Sequence, residues 1–286
     1  MSAVKKPAAR AAEAAEIDTA AEIDTVALKS GNLMPVLGLG SWMLTSDTAT
    51  RVAHALSLGY RLVDTSGDYK TQGGIGKAIR ATGMRRDALY IVTKVEEDDD
   101  GYDATRKNLD ELNLEYADLV LIHRPPERGV GEKIWEGLRR ARDEGLARDI
   151  GVSSYKVGQI EELARITGET PAVNQIEWTP FGHSLDMLNF CRANQIVVQA
   201  WSPLTRGKRL ADEKLSALAE KYGKSPAQII LRWDLQHGVV PLPKAQRPDH
   251  QRENLDIFDF ELDARDMAAL DNLNQHFSAL EKLDYV

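Results

Sequence analysis

Four residues in the first half of the chain, Asp64, Tyr69, Lys94 and His123, supply a carboxylate, a phenol, an ammonium and an imidazole. Brought to one place, those groups can hold, orient and transfer a proton. Asp64 ends the short apolar run Tyr60-Arg61-Leu62-Val63, which stops in Asp64-Thr65-Ser66, residues that favour turns and local hydrogen bonds. Tyr69 follows five positions later, on the loop. Each of the four also has a plain structural reading: a turn aspartate, a packed aromatic, a solvated strand end, a hydrogen-bonded core histidine. Lys94 and His123, however, end the next two apolar runs, Leu89–Thr93 and Asp118–Ile122. Three successive strand ends with an acid, a lysine and a histidine imply convergence.

The elements that must position these groups alternate along the chain. A small hairpin is expected at 26–36, with Gly31 and Asn32 in its turn. Short apolar strands follow near 36–40, 60–64, 89–94, 118–123, 149–152, 172–175, 196–200 and 239–243. Helices are expected between them, one capped by Asp47 and another opened by Ser225-Pro226. Continuous rather than alternating apolarity means strands covered on both faces, as in parallel sheets. Eight such units predict an α/β fold, a (β/α)8 TIM barrel with a short N-terminal β-hairpin and a flexible N-terminal extension. A doubly wound sheet is the alternative, but Gly73-Gly74-Ile75-Gly76 lacks dinucleotide-fingerprint spacing and reads as a close-packing segment. In a barrel all C-terminal strand ends share one rim, here Trp42, Asp64, Lys94, His123, Ser153-Ser154, Gln175, Trp201-Ser202 and Lys244.

The domain expectation is residues 1–25 as an alanine-rich extension and 26–286 as one barrel. The extension repeats Ala-Ala-Glu-Ile-Asp-Thr at 14–19 and 20–25 and has too few apolar positions for a core face. A net charge of −8 and a pI near 5.4 argue against nucleic-acid binding, which needs a basic patch. No apolar run reaches transmembrane length, and charges interrupt the N-terminal alanines, so a cytoplasmic location is expected. Cys191 is the only cysteine, which excludes an intrachain disulfide or a cysteine-cluster metal site. It reads as a buried structural thiol, and no metal ligand is assigned.

The ordered segments Gly59–Thr65 with Tyr69, Thr93-Lys94, Leu121–Pro125, Gly151–Tyr155, Val173–Gln175, Trp201–Leu204 and Pro243-Lys244 together resemble the motifs of the aldo-keto reductase superfamily. The likeness runs from about residue 26 to about residue 273, nearest to bacterial reductases of the 2,5-diketogluconate type. It implies reduction of carbonyl substrates with NADPH by a monomer. Tyr69 would be the general acid; a free tyrosine titrates near pH 10, roughly three units too high for easy donation at neutrality. Lys94 would lower it, Asp64 would pair with Lys94, and His123 would donate a hydrogen bond to the carbonyl oxygen. By the same likeness Ser153, Ser154 and Gln175 meet the carboxamide, and Trp201 stacks on the nicotinamide. Ser202 and Leu204 follow the pyrophosphate, Lys244 the 2′-phosphate, and Glu253 and Asn254 the adenine. Trp42 and His123 border the substrate, and Trp178 and Phe181 are candidates either for its wall or, no less, for core packing.

Several positions depart from the family pattern. Ser154 stands where asparagine is usual, and Ala245 and His250 replace a serine and an arginine at the 2′-phosphate site, which leaves NADH as an alternative cofactor. Arg247 and Arg252 could compensate. Thr71-Gln72 replaces Asn-Glu, and Arg124 replaces a tryptophan, both placed near the substrate mouth. Two other readings use the same scaffold: a non-catalytic nucleotide-sensing subunit, and a barrel enzyme acting through a Lys94 Schiff base.

Overall fold

The computed structural model describes residues 24–280 and Leu283, so all but the last two residues of the N-terminal repeat lie outside the described residues. Strands β1 (Thr25–Ala27) and β2 (Leu33–Pro35) form the expected antiparallel hairpin, Thr25 opposite Pro35. Its turn puts Gly31 at φ 88°, a conformation glycine adopts without cost. The hairpin covers the N-terminal strand ends. Asn32 Nδ2 donates to Asp149 Oδ2 at 2.8 Å, Lys29 donates to Thr170, and Met34 lies fully buried among the strands.

Eight parallel strands then follow in sequence order, from β3 to β10, all in one sheet. They are β3 (Gly38–Gly40), β4 (Leu62–Asp64), β5 (Tyr90–Val95), β6 (Ala117–Ile122), β7 (Ala147–Ser153), β8 (Val173–Glu177), β9 (Val197–Trp201) and β10 (Val240–Pro241). β5 and β6 are buried at every residue, as continuous apolarity predicts. β10 is shorter than expected because Pro241 and Pro243 have no N–H for a ladder. Closure uses the acceptor side instead: the Gly40 amide donates to the Pro243 carbonyl at 3.1 Å, joining the two ends of the sheet into a nearly closed (β/α)8 barrel.

The helices α1 (Thr48–Leu58), α2 (Gln72–Thr82), α3 (Gly101–Leu112), α4 (Glu132–Asp143), α5 (Val157–Thr167), α6 (Leu185–Ala193), α7 (Glu213–Tyr222) and α8 (Pro226–Gln236) fill the crossovers. Two more, α9 (Pro248–Leu255) and α10 (Ala264–Asp271), follow β10. Ser225 caps α8 with Pro226 in its first turn, as predicted, and Gln228 completes a reciprocal capping box. Asp47 does not cap α1. Its backbone is left-handed (φ 58°), whereas a capping side chain reaches the first-turn amides from extended backbone. The glycines of α2 serve packing: a Cβ on Gly76 would lie 2.0 Å from the Leu112 carbonyl oxygen of α3.

Of the two readings of Trp178 and Phe181, core packing is the one observed: both are fully buried, and Trp178 stacks on Trp233 with centroids 5.7 Å apart. Cys191 is buried in the same core, which pushes its thiol up to about 12, and it reads as structural. Among the described residues, no helix is long and apolar enough to cross a membrane.

Candidate active site

The rim where β4, β5 and β6 end carries the first functional group. β5 delivers Lys94 into the barrel, where its ammonium meets Asp64 Oδ1 at 2.6 Å and donates to the Thr65 carbonyl at 2.9 Å. Both side chains are buried, so the charges have no alternative partner in water. Gln175 Nε2 donates to the same Asp64 oxygen (2.8 Å) and to Gln199 Oε1 (2.9 Å). Both Gln175 amide protons are therefore engaged inside the barrel, and any contact to a cofactor must use its carbonyl.

Tyr69 sits on a short 3-10 turn, Gly67–Tyr69, that arches from β4 over Lys94. Lys94 Nζ lies 5.0 Å from the centre of its ring, and the Tyr69 hydroxyl is 3.5 Å from His123 Nε2. His123 follows β6, its amide bonded to the Val95 carbonyl at 2.8 Å, which continues the ladder by one residue. The four predicted residues are thus brought together. Burial pushes the Tyr69 phenol well above its ordinary value, and the carboxylates of Asp64, Asp68 and Glu96 push the same way, against Arg124. That direction is opposite to the lowering expected from Lys94. Asp64 takes up the charge of Lys94, whose ammonium lies 5.0 Å from the centre of the tyrosine ring.

Sequence reasoning missed Glu96. Its carboxylate lies 2.9 Å (Oε1) and 3.0 Å (Oε2) from His123 Nδ1, and Ser66 donates to it at 3.1 Å. Burial alone would raise this carboxyl, but the His123 contact, the Ser66 hydroxyl and Arg124 outweigh it and hold Glu96 below the ordinary carboxylate value. Asp68 stands 3.9 Å from the same nitrogen, and Arg124 bridges Asp68 (3.7 Å) and Glu97 (3.6 Å) at the exposed mouth. A cavity of about 380 Å³ opens beside this group, lined by Asp68, Lys94, Glu96, Asp99, Asp103 and Lys107 among others. A second cavity, about 520 Å³, lies by the hairpin and contains none of the four.

Thr71 and Gln72 are not at the substrate mouth. Both are buried: Thr71 bonds Ser41 and Thr65, and Gln72 links Thr93, Asn108 and Glu111. This departure from the family pattern therefore falls in a polar network behind Lys94, whose carbonyl accepts from Asn108 Nδ2 at 2.8 Å. Arg124, by contrast, does stand at the mouth.

The expected cofactor residues occupy the rim from β7 to α9. Ser153 and Ser154 are buried at the end of β7, and Ser154 is left-handed (φ 61°), a conformation asparagine tolerates better than serine. Trp201 ends β9 and Ser202 and Leu204 follow it, all three half-buried, with Ser202 at φ 50°. Lys244 is exposed just beyond β10; partial burial and the nearby Arg206 cation both push its ammonium down. Neither Lys244 nor Arg206 has an acidic partner among the described residues, and Arg206 instead lies 4.1 Å over the ring of Trp42. Two unpaired cations on the rim of an acidic protein fit an anionic ligand such as a nucleotide phosphate. Arg247, at the N-terminus of α9, is exposed beside Asp249 at 3.5 Å, and His250 is exposed one turn on. Glu253 is half-buried, and Asn254 is buried beside the Tyr60 hydroxyl.

Comparison with known proteins agrees with this arrangement. Residues 36–275 match the aldo/keto reductase family. The chain is 41% identical over 257 residues to a glyoxal reductase of Bacillus subtilis, covering 88% of this chain and 93% of that one. It is 40% identical over 257 residues to an aldo-keto reductase of Mycolicibacterium vanbaalenii, covering 88% and 92%. Among solved structures, an aldo/keto reductase from Brucella melitensis superposes with TM-score 0.83 at 38% identity, covering 88% of this chain and 99% of that chain. A Bombyx mori aldo-keto reductase in complex with NADP gives TM-score 0.85 at 31% identity, covering 91% and 95%.

Proposed function

The chain belongs to the aldo/keto reductase family, and on that premise we propose that it reduces aldehydes and ketones to alcohols with NADPH, using Tyr69 as the general acid. The observation that carries this reading is the meeting of the Tyr69 hydroxyl and His123 Nε2 at 3.5 Å above the buried Lys94–Asp64 pair. Reduction needs a hydride on carbon and a proton on oxygen. The bound nicotinamide supplies the hydride.

The protein's own groups supply the rest. A substrate carbonyl oxygen placed between Tyr69 and His123 is within reach of both. The raised phenol keeps its proton through the neutral range and yields it only to a strong base, which the oxygen becomes as negative charge develops on it. Lys94 lies close enough to stabilise the phenolate left behind, and Asp64 and Gln175 hold it in place. Trp201 and the Ser153-Ser154 turn would hold the nicotinamide, with Ser202 and Leu204 along the pyrophosphate. Lys244, assisted by Arg206 and Arg247, would hold the 2′-phosphate.

The mouth favours small, polar carbonyls. Asp68, Glu96, Glu97 and Arg124 place charge around it, which disfavours a long hydrocarbon substrate. Dicarbonyls and hydroxy-aldehydes of the glyoxal type suit it, in keeping with the activity named for the Bacillus relative. A Lys94 Schiff base fits poorly, since that ammonium is buried and bonded to Asp64 and Thr65. NADPH oxidation against glyoxal, methylglyoxal, a keto-sugar and a long-chain ketone tests the proposal. Turnover of the first three above the ketone is expected, and no carbonyl-dependent oxidation with any of them would refute it.

A further inference from the structure

His123 is held from several sides. Glu96 faces Nδ1 from the end of β5, Asp68 and Tyr69 face the ring from the 3-10 turn, Ser66 lies 3.4 Å from Nδ1, and Arg124 stands next in the chain beside Asp68. The closest of these contacts, to Glu96, constrains the proton on the ring. An ionised carboxylate has no proton to give, so the nitrogen facing it must carry one. Neutral imidazole has only one such proton, and with it on Nδ1 the other nitrogen is an acceptor. The Tyr69 hydroxyl can donate to that nitrogen. A carbonyl oxygen cannot, because it too only accepts. His123 therefore donates to a substrate oxygen through Nε2 only when the ring carries a second proton.

We propose that Glu96 is a positioning residue that keeps the first His123 proton on Nδ1, so that His123 meets the substrate oxygen as a charged imidazolium donor and otherwise accepts from Tyr69. This rests on the carbonyl-reductase reading above. The proton transferred to substrate still comes from Tyr69, and the imidazolium keeps its own, contributing a charge-assisted hydrogen bond to the developing alkoxide. Carbonyl reduction should then favour acid. A glutamine at position 96 can turn its amide and donate to Nδ1, which allows a neutral ring to present Nε2–H, so the Glu96→Gln variant should lose that acid preference.

The experiment uses the full chain with 15N-labelled histidine, the His123→Asn variant supplying the assignment. In the wild type, NMR should place the proton of the neutral ring on Nδ1, and in Glu96→Gln on Nε2. In parallel, wild-type kcat/KM for aldehyde reduction should fall with rising pH, approaching about tenfold per unit, the slope of one proton. The Glu96→Gln profile should change by less than about threefold over the same interval. A wild-type proton on Nε2, or a pH profile that Glu96→Gln leaves unaltered, overturns the proposal. The NMR readout stands or falls without turnover, so a chain that reduced no carbonyl would refute the proposed function while leaving the Glu96–His123 assignment separately tested.

Discussion

The Lys94 ammonium lies 2.6 Å from Asp64 Oδ1 with 1% and 6% of the two side chains exposed, so each charge depends on the other for stability as well as for any role in catalysis. Removing one leaves its partner buried and uncompensated, at a cost of about 3–5 kcal/mol. Asp64→Ala should lose that much in urea denaturation. The double variant Asp64→Leu with Lys94→Met should regain most of it while remaining inactive. A loss below about 1 kcal/mol for Asp64→Ala would show that the pair is not the buried anchor described.

The unpaired Lys244 leads to a cofactor prediction. If it meets the 2′-phosphate, Lys244→Ala removes a charge-assisted contact of about 1.5–3 kcal/mol from NADPH alone. KM for NADPH should rise roughly 10- to 100-fold, with KM for NADH unchanged. Equal losses with both cofactors would move Lys244 to the pyrophosphate that they share.

Asp234, in the middle of α8, gives a prediction about stability and pH. It is fully buried and neither carboxylate oxygen has a hydrogen-bond partner among the described residues. Burial pushes its carboxyl well above the ordinary value. A group whose folded-state value is raised favours the fold below its unfolded value, near pH 4, and that contribution is lost as pH climbs toward the folded value. Asp234→Leu should therefore raise Tm more at pH 7 than at pH 4. A gain that grew on acidification would contradict the burial of an unpaired carboxyl there.

The barrel was legible because buried parallel strands are continuous apolar runs, and the strand-end rule then collected Asp64, Lys94 and His123 on one rim. Tyr69 became readable only through family likeness, since nothing in its own loop places it over Lys94. Glu96 had a signal: it lies two residues after Lys94, and alternation puts both on one face of the strand. That signal was masked because Glu96-Glu97-Asp98-Asp99-Asp100 reads as a solvated acidic loop, and only the first of them turns inward to His123. Arg206 was hidden for another reason. Thr205 and Arg206 are both left-handed, a loop geometry that local composition does not announce, and it is this that brings the guanidinium over Trp42. Thr71 and Gln72 show the reverse error. The family comparison placed them near the substrate mouth, yet they are buried as hydrogen-bonding supports of β5.

The assignment of Tyr69 as proton donor is tested most directly by Tyr69→Phe, which deletes the hydroxyl and keeps the ring over Lys94. Loss of general-acid catalysis should lower kcat for aldehyde reduction by about 100-fold or more, while the Kd for NADPH, titrated by nucleotide fluorescence, stays within about twofold. An undiminished kcat would contradict the assignment.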